Sequence, residues 1–507
     1  MRRGTAAWLV VLAMLSAGLR FHALDSQGLW SDELFSVSIV TQVGEGRPWY
    51  DYVQKVFPDL RIEDSALTWK AGENSPPLFE LLLWLWTQVF GTSDFAVRAL
   101  SAVAGSLAPL VLFAGLRRPL GGFAAGAAGL LLALAPSAVA LAQEARGYGL
   151  LMLLATCAVV RLVRYALQAE PQRIGLDVTL YLLLSYTHYT GLVLACALVA
   201  VRFAMAWWQD KPLREFGWFV AVPVLLAPWM YLNWFSMAAT GTGRFGWRDY
   251  DWPDVWSLML PKAAGFLMPG LHTLWGLLAL AFVGALWKCR RSDACRRDAR
   301  WLLVAAFAGM VVAHFGYGIY TAFHARVWHE RYFSAMLPVG IALFALLFSL
   351  AEPRRGLSGL VVLLGCAASL QVVLTSYHKP WKEEYREASR FIARYAQGSP
   401  TVVATWAPNA IYFNYYLRGF MAEAGRPYSL TTVGVQDDVP QGVDALCQRP
   451  WAAGEQVVLF QHQMHRLYFD LVKRRCVGAL RWVSGQEFRG VFVDFFEAVP
   501  QGPTPRG

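Results

Sequence analysis

Blocks of roughly 16–20 predominantly apolar residues recur along this chain, each close to the ~20 residues with which an α-helix crosses a ~30 Å hydrocarbon core. Runs of that length suit helices rather than the strands of a barrel. A chain of 507 residues that is 56% hydrophobic and only 16% charged has too little polar surface to cover a soluble fold of its size. The sequence therefore predicts a polytopic α-helical membrane protein.

Loop charge gives the orientation. Arg2-Arg3, Arg117-Arg118, Arg161 to Arg173, Lys211 to Arg214, Lys288 to Arg300 and Arg354-Arg355 fall between the apolar blocks, where the positive-inside rule places cytoplasmic loops. The formal charge of +10 is thus a topological signal, and no nucleic-acid partner is expected. Crossings are expected near 6–24, 98–116, 121–140, 148–166, 174–190, 191–208, 216–235, 270–288, 300–320, 332–350 and 357–375, which puts the N-terminus inside and the C-terminus outside. The segment from Pro76 to Phe90 opens with two prolines and reads as short or partly inserted. Thr5 to Leu19 follows two arginines as a signal peptide would, but no convincing small-residue cleavage site comes after it, so it reads as the first membrane helix. Most of the 22 tryptophans flank apolar blocks and form an aromatic belt.

From Lys379 the composition turns mixed and soluble. The expected domains are 1–375, a transmembrane domain with a first outer loop at 25–75, and 376–507, a small extracytoplasmic α/β domain. Trp381 to Gln397 is helix-like, and the apolar runs Thr401 to Thr405 and Gln456 to Phe460 suit buried strands. Of seven cysteines, Cys157, Cys196 and Cys366 lie in apolar blocks as packing residues, and Cys289 and Cys295 face a reducing cytosol. Cys447 and Cys476 lie in the outer domain, where a disulfide can form if the fold brings them together.

The polar residues with chemical promise collect on the outer side. Asp32 and Glu33 in Leu29-Trp30-Ser31-Asp32-Glu33 are adjacent carboxylates just beyond the first helix, where charge needs solvent, a partner or a purpose; Ser-Asp-Glu is also ordinary N-cap chemistry. Glu73 and Asn74 lead into Pro76-Pro77, which fixes their approach to the interface for a substrate or cation, or simply starts a helix. Gln143-Glu144-Ala145-Arg146-Gly147-Tyr148 sits between two apolar blocks: Arg146 has the planar donors a phosphate needs, Tyr148 can stack, and Glu144 and Arg146 can equally form an ion pair. Tyr186-Thr187-His188-Tyr189 offers His188 and Tyr189 as ligands or interface anchors. Arg331 and Tyr332, with Arg326 as an alternate, suit an anionic lipid head group. There is no P-loop and no GxGxxG after a strand, which argues against a nucleotide donor held in a Rossmann domain.

Taken in order and spacing, LWSDE at 29–33, ENSPPL at 73–78, an Arg98-led helix, QEARGY at 143–148, THYTG at 187–191 and RYFSAMLP at 331–338 resemble the GT-C superfamily of membrane glycosyltransferases. Within it, the resemblance is to the bacterial family 39 group related to protein O-mannosyltransferases and lipid A aminoarabinose transferases, and it covers roughly residues 1–375. It implies a GT-C fold with about 11–13 transmembrane helices, in the cytoplasmic (inner) membrane of a bacterium. It also implies inverting transfer of a sugar from a polyprenyl-phosphate donor to a hydroxyl of a glycan, lipid or protein on the outer face, with membrane lipids as the surroundings. Asp32 matches the family's acidic residue beside the acceptor and is expected to be the general base, with Glu33 alongside it. Arg146 and Arg331 are expected to stabilise the departing phosphate. Glu33 and Glu73 would orient the acceptor or bind a cation, while Tyr148, His188 and Tyr189 line the pocket. Ser75 stands where relatives often carry histidine or lysine before the paired prolines. A divalent metal is left open and is not required by the sequence.

Two other functions use similar architecture, an oligosaccharide ligase and a lipid-linked glycan transporter or flippase. Transporters commonly show repeated halves and broken midplane helices. No internal repeat is evident in this sequence.

Overall fold

The computed structural model describes residues 3–41, 70, 75–168, 173–208, 213–240, 249–267, 298–350, 355–377, 379–405, 407–432, 439–462 and 467–499. The expected crossing at 270–288, with Glu73, Asn74, Cys289 and Cys295, lies outside these residues. The chain divides into two compact units. One comprises Met1–Leu24, Lys70–Gly91 and Phe95–Lys379, and the other comprises Asp25–Trp69, Thr92–Asp94 and Pro380–Gly507. Asp32 and Glu33, which the sequence reading grouped with the transmembrane domain, therefore fold with the C-terminal domain.

The first unit is helical, and the protein is a multi-pass membrane protein. Among the described residues, seven helices are long and apolar enough to cross a membrane: Gly4–Phe21, Asp94–Leu120, Tyr148–Gln168, Tyr189–Trp207, Phe216–Trp234, Ala299–Ala325 and Ser358–Tyr377. Leu78–Phe90, Ile174–Thr187 and Leu337–Leu350 are shorter apolar helices, the first of them the segment read as short. Leu337–Leu350 is buried almost throughout and packs against Gly122–Leu134 and Ala299–Ala325.

The expected crossing at 121–140 is broken. Gly122–Leu134 and Pro136–Ala142 meet at 53°, because Pro136 has no N–H to give the Leu132 carbonyl and its ring disfavours helix before it. Arg20 fills the break. Its fully buried guanidinium donates through Nη2 to Leu132 O at 3.2 Å and through Nη1 to Ala133 O at 3.1 Å and Ser16 Oγ at 2.9 Å. The guanidinium thus satisfies carbonyls that would otherwise be orphaned in an apolar interior.

The second unit contains a five-stranded sheet formed by β1 (Thr401–Ala404), β2 (Ser429–Thr432), β3 (Gln456–His462), β4 (Leu480–Phe488) and β5 (Val491–Ala498), in the order β2-β1-β3-β5-β4. β1 runs parallel to β2 and β3, while β5 is antiparallel to β3 and β4. Both apolar runs expected to be strands are central here, as β1 and β3. Helix Ala407–Glu423 links β1 to β2 and packs on helix Ser31–Thr41, where Phe35 meets Tyr412 edge-on at 6.3 Å. Cys447 and Cys476 are joined by a disulfide with Cα atoms 4.8 Å apart; Cys476 lies in the core formed by Val443, Leu459, Tyr468 and Phe496, and Cys447 packs against it.

Candidate active site

Helix Ser31–Thr41 presents Asp32 and Glu33 in its first turn, where exposed N–H groups and the helix dipole favour carboxylates. The two side chains go different ways. Glu33 is fully buried; its Oε2 accepts from Lys382 Nζ at 3.0 Å and from the Trp30 N–H at 3.3 Å. Asp32 is half-buried and lies near enough to Tyr385 that its charge, after burial, Glu383 and Tyr412, helps push that phenol well above its ordinary pKa.

Several further contacts hold this turn. Glu383 Oε2 accepts from the Ser31 N–H at 2.9 Å, and Glu383 Oε1 receives His462 Nε2 at 2.7 Å. Gln27 Oε1 accepts from the backbone N–H groups of Trp381 and Lys382 at 2.9 and 3.1 Å, and the Trp30 and Trp381 rings meet at 5.3 Å. Arg386 Nη1 binds Asp94 at 2.9 Å and the Asp25 carbonyl at 3.1 Å, while the Leu29 N–H donates to Tyr416 at 2.7 Å.

In the helical unit, three motifs distant in sequence converge. The 143–148 turn is pinned by Gln143, whose Nε2 donates to the carbonyls of Leu19, Arg20 and His22 at 3.2, 3.3 and 2.9 Å. Ser101 Oγ donates to the Arg146 carbonyl at 3.0 Å, and Glu144 and Tyr148 are buried. Gly149 lets the following helix approach, since a Cβ there would lie 2.4 Å from the Ser101 carbonyl oxygen. His188 is an extended residue between two helices. Its Nδ1 accepts from the Thr190 N–H at 3.1 Å, which directs its ring 5.6 Å from Tyr148 and 6.0 Å from Tyr332. Gly191 makes that reversal fit, because a Cβ there would lie 2.2 Å from the Leu184 carbonyl oxygen.

Arg331 and Tyr332 come from the 3₁₀ turn Glu330–Ala335. His329 caps the turn by accepting the Arg331 N–H at 3.2 Å, and His314 Nε2 donates to the Tyr332 carbonyl at 2.9 Å. The Arg331 guanidinium lies 6.0 Å from the centre of the Tyr148 ring, at the outer reach of a cation–π contact. Tyr148, His188, Arg331 and Tyr332 therefore form one cluster, three rings in sequence with the Arg331 guanidinium beside the Tyr148 ring. Two residues singled out from the sequence are engaged elsewhere: Tyr189 donates to Asn233 at 2.5 Å, and Arg326 pairs with Asp249 at 2.9 Å in an exposed contact.

Three polar residues in these two units escaped the sequence reading. Lys70 is buried, with Nζ 3.0 Å from Glu80 and donating to Ser75 Oγ at 2.6 Å. Ser75 thus receives an ammonium group from five residues upstream. The available signal was Glu80, a carboxylate inside an apolar helix that had to find a cation. Lys382 and Glu383 carried no signal beyond opening a polar stretch. Among the described residues, no group of three or more His, Cys, Asp or Glu side chains is arranged to hold a metal ion.

Residues 74–234 match the family model described as dolichyl-phosphate-mannose-protein mannosyltransferase. That span holds Glu144, Arg146, Tyr148 and His188 but neither Asp32 nor Arg331. No curated protein matches the chain by sequence. Among solved structures, ArnT from Cupriavidus metallidurans in the apo state is similar at 15% identity and a TM-score of 0.60, over 97% of this chain and 98% of that one. The same protein bound to undecaprenyl phosphate is similar at 16% identity and 0.56, over 96% and 98%. An Archaeoglobus fulgidus oligosaccharyltransferase tethered to an acceptor peptide is similar at 11% identity and 0.52, over 96% of this chain and 73% of that one. The chain thus has a GT-C fold, and its residues 74–234 match that one family model.

Proposed function

We propose that the protein transfers a sugar, with inversion, from a polyprenyl-phosphate carrier to a hydroxyl acceptor on the outer face of the cytoplasmic membrane. The observation that carries this reading is the Tyr148, His188, Arg331 and Tyr332 cluster in the membrane unit. A guanidinium there can meet a phosphate with paired donors, and the rings offer faces for the sugar or the first isoprene. Similarity in fold to a protein bound to undecaprenyl phosphate adds support for a lipid-linked donor. The Cys447–Cys476 disulfide is consistent with an oxidising compartment for the C-terminal domain.

In the proposed reaction the Asp32 carboxylate takes the acceptor's hydroxyl proton as that oxygen attacks C1. The C1–O bond to phosphate breaks, and the polyprenyl phosphate leaves with its charge stabilised by Arg331 and Arg146. Such preorganised donors typically lower the barrier by about 2.7–4 kcal/mol each. Phosphate is a good enough leaving group to need charge stabilisation more than a strong acid. Glu33, held by Lys382, serves the helix rather than the acceptor.

The lipid-transport alternative draws on the broken helix at Ala135, since broken helices often coordinate ions in transporters. Arg20 already occupies the carbonyls exposed there, which disfavours a cation site. The test is mass-spectrometric detection of sugar transfer by the purified protein from a panel of polyprenyl-phosphate sugars, comparing wild type with Asp32→Asn. Transfer by wild type alone supports the reading. Transfer at near wild-type rate by Asp32→Asn would remove Asp32 from the chemistry, and lipid translocation in proteoliposomes without any transfer would favour the transporter.

A further inference from the structure

We infer that Lys382 and Glu383, at the entrance of the C-terminal domain, are positioning residues for the base, and that this domain aims Asp32. The inference rests on the reading of Asp32 as the general base. Asp32 is the second residue of its helix, between the two positions that the domain grips: the Ser31 N–H goes to Glu383 and the Glu33 carboxylate to Lys382. One grip acts on the backbone before Asp32 and the other on the side chain after it. Together they fix both the position and the rotation of the first helical turn.

The grip is anchored in the sheet. His462 is the last residue of β3, the central strand, and its Nε2 donates to Glu383 Oε1 at 2.7 Å. The other Glu383 oxygen is thereby turned to Ser31, making a continuous path from the sheet through His462 and Glu383 to the N–H beside Asp32. Lys382 is itself buried, and Gln27 accepts from its backbone N–H at 3.1 Å. Glu33 in turn accepts the Trp30 N–H, closing the turn on its own backbone. A fully buried carboxylate held by a buried lysine fixes geometry, because neither partner can leave the other without stranding a charge. Misplacement of a reacting group by about 1 Å can lower a rate on the order of 100-fold.

The test compares Asp32→Asn, Lys382→Met, Lys382→Arg, Glu383→Gln and Glu383→Ala in the full-length protein, with folding followed by size-exclusion profile and Tm. The donor is whichever polyprenyl-phosphate sugar wild type uses. Glu383→Ala and Lys382→Met should lower kcat by about 10- to 100-fold with KM for the lipid donor within about twofold. Lys382→Arg should recover most of the loss, and Glu383→Gln, which keeps an acceptor for Ser31, should fall between. If Lys382→Met does not fold, the Glu383 pair alone decides. Folded Glu383→Ala or Lys382→Met with wild-type kcat, while Asp32→Asn is inactive, would overturn the positioning role and leave the base intact. An active Asp32→Asn would overturn both. A rise in donor KM with unchanged kcat would also overturn it, by placing these residues in substrate binding.

Discussion

The Lys70 ammonium sits 3.0 Å from the Glu80 carboxylate, with both side chains buried, and reaches Ser75 Oγ in the same contact. Breaking a buried pair from one side leaves an uncompensated charge, at a cost of about 3–5 kcal/mol. Lys70→Met and Glu80→Leu should each lower Tm markedly, and the double variant should recover a large part of the loss. Additive losses in a thermal double-mutant cycle would show that the pair is not coupled.

Arg331 and Arg326 separate binding chemistry from surface charge. Arg331 lies beside the Tyr148 ring of the cluster, while Arg326 makes an exposed pair with Asp249, a kind of contact worth little. Arg331→Gln should reduce kcat/KM on the order of 100- to 1,000-fold, and Arg326→Gln should stay within a few-fold of wild type. Steady-state kinetics with a polyprenyl-phosphate sugar measures both, and equal losses would refute the distinction.

Gly149 and Gly191 mark backbone approaches that no side chain tolerates. A Cβ would meet the Ser101 carbonyl at 2.4 Å in one case and the Leu184 carbonyl at 2.2 Å in the other. Backbone cannot give way as a flexible side chain can, so Gly149→Ala and Gly191→Ala should each cost about 1–3 kcal/mol or more. Gly309→Ala, where nothing lies within 4 Å of the added carbon, is the control. Thermal unfolding of the three variants in detergent provides the check.

The Cys447–Cys476 bridge closes a loop with a sequence separation of 29, for which chain entropy gives about 3–4 kcal/mol of stabilisation. The Cys447→Ser, Cys476→Ser double variant should lower the unfolding temperature of the C-terminal domain and increase its proteolysis. An unchanged domain Tm, with oxidised wild type as reference, would count against a stabilising bridge.

Hydropathy is a local sum, so the membrane class, most helices and the short segment at Leu78–Phe90 were legible in the sequence. So were β1 and β3, whose residues are apolar because both faces are covered. β4 was not, because it is an edge strand exposed along most of its length and reads Arg481-Trp482-Val483-Ser484-Gly485, without an apolar run. The motifs containing Tyr148, His188 and Arg331 could be read one by one. Only the folded chain decided that their rings and guanidinium meet, since that depends on the close backbone approaches at Gly149 and Gly191.

Tertiary structure alone assigned the charged partners. Glu33 and Lys382 are 349 positions apart, and nothing local to either names the other. Two adjacent carboxylates in Ser31-Asp32-Glu33 look equivalent as sequence. They differ in the protein because helix geometry turns successive side chains by about 100°, sending Glu33 inward to a lysine and leaving Asp32 half-buried. The sequence by itself determined that the chain must live in a membrane and carry its polar chemistry at a few interruptions. The return of the chain at Pro380 decided which domain holds the Asp32 turn, because a buried charge is stable only where the fold supplies its counter-charge.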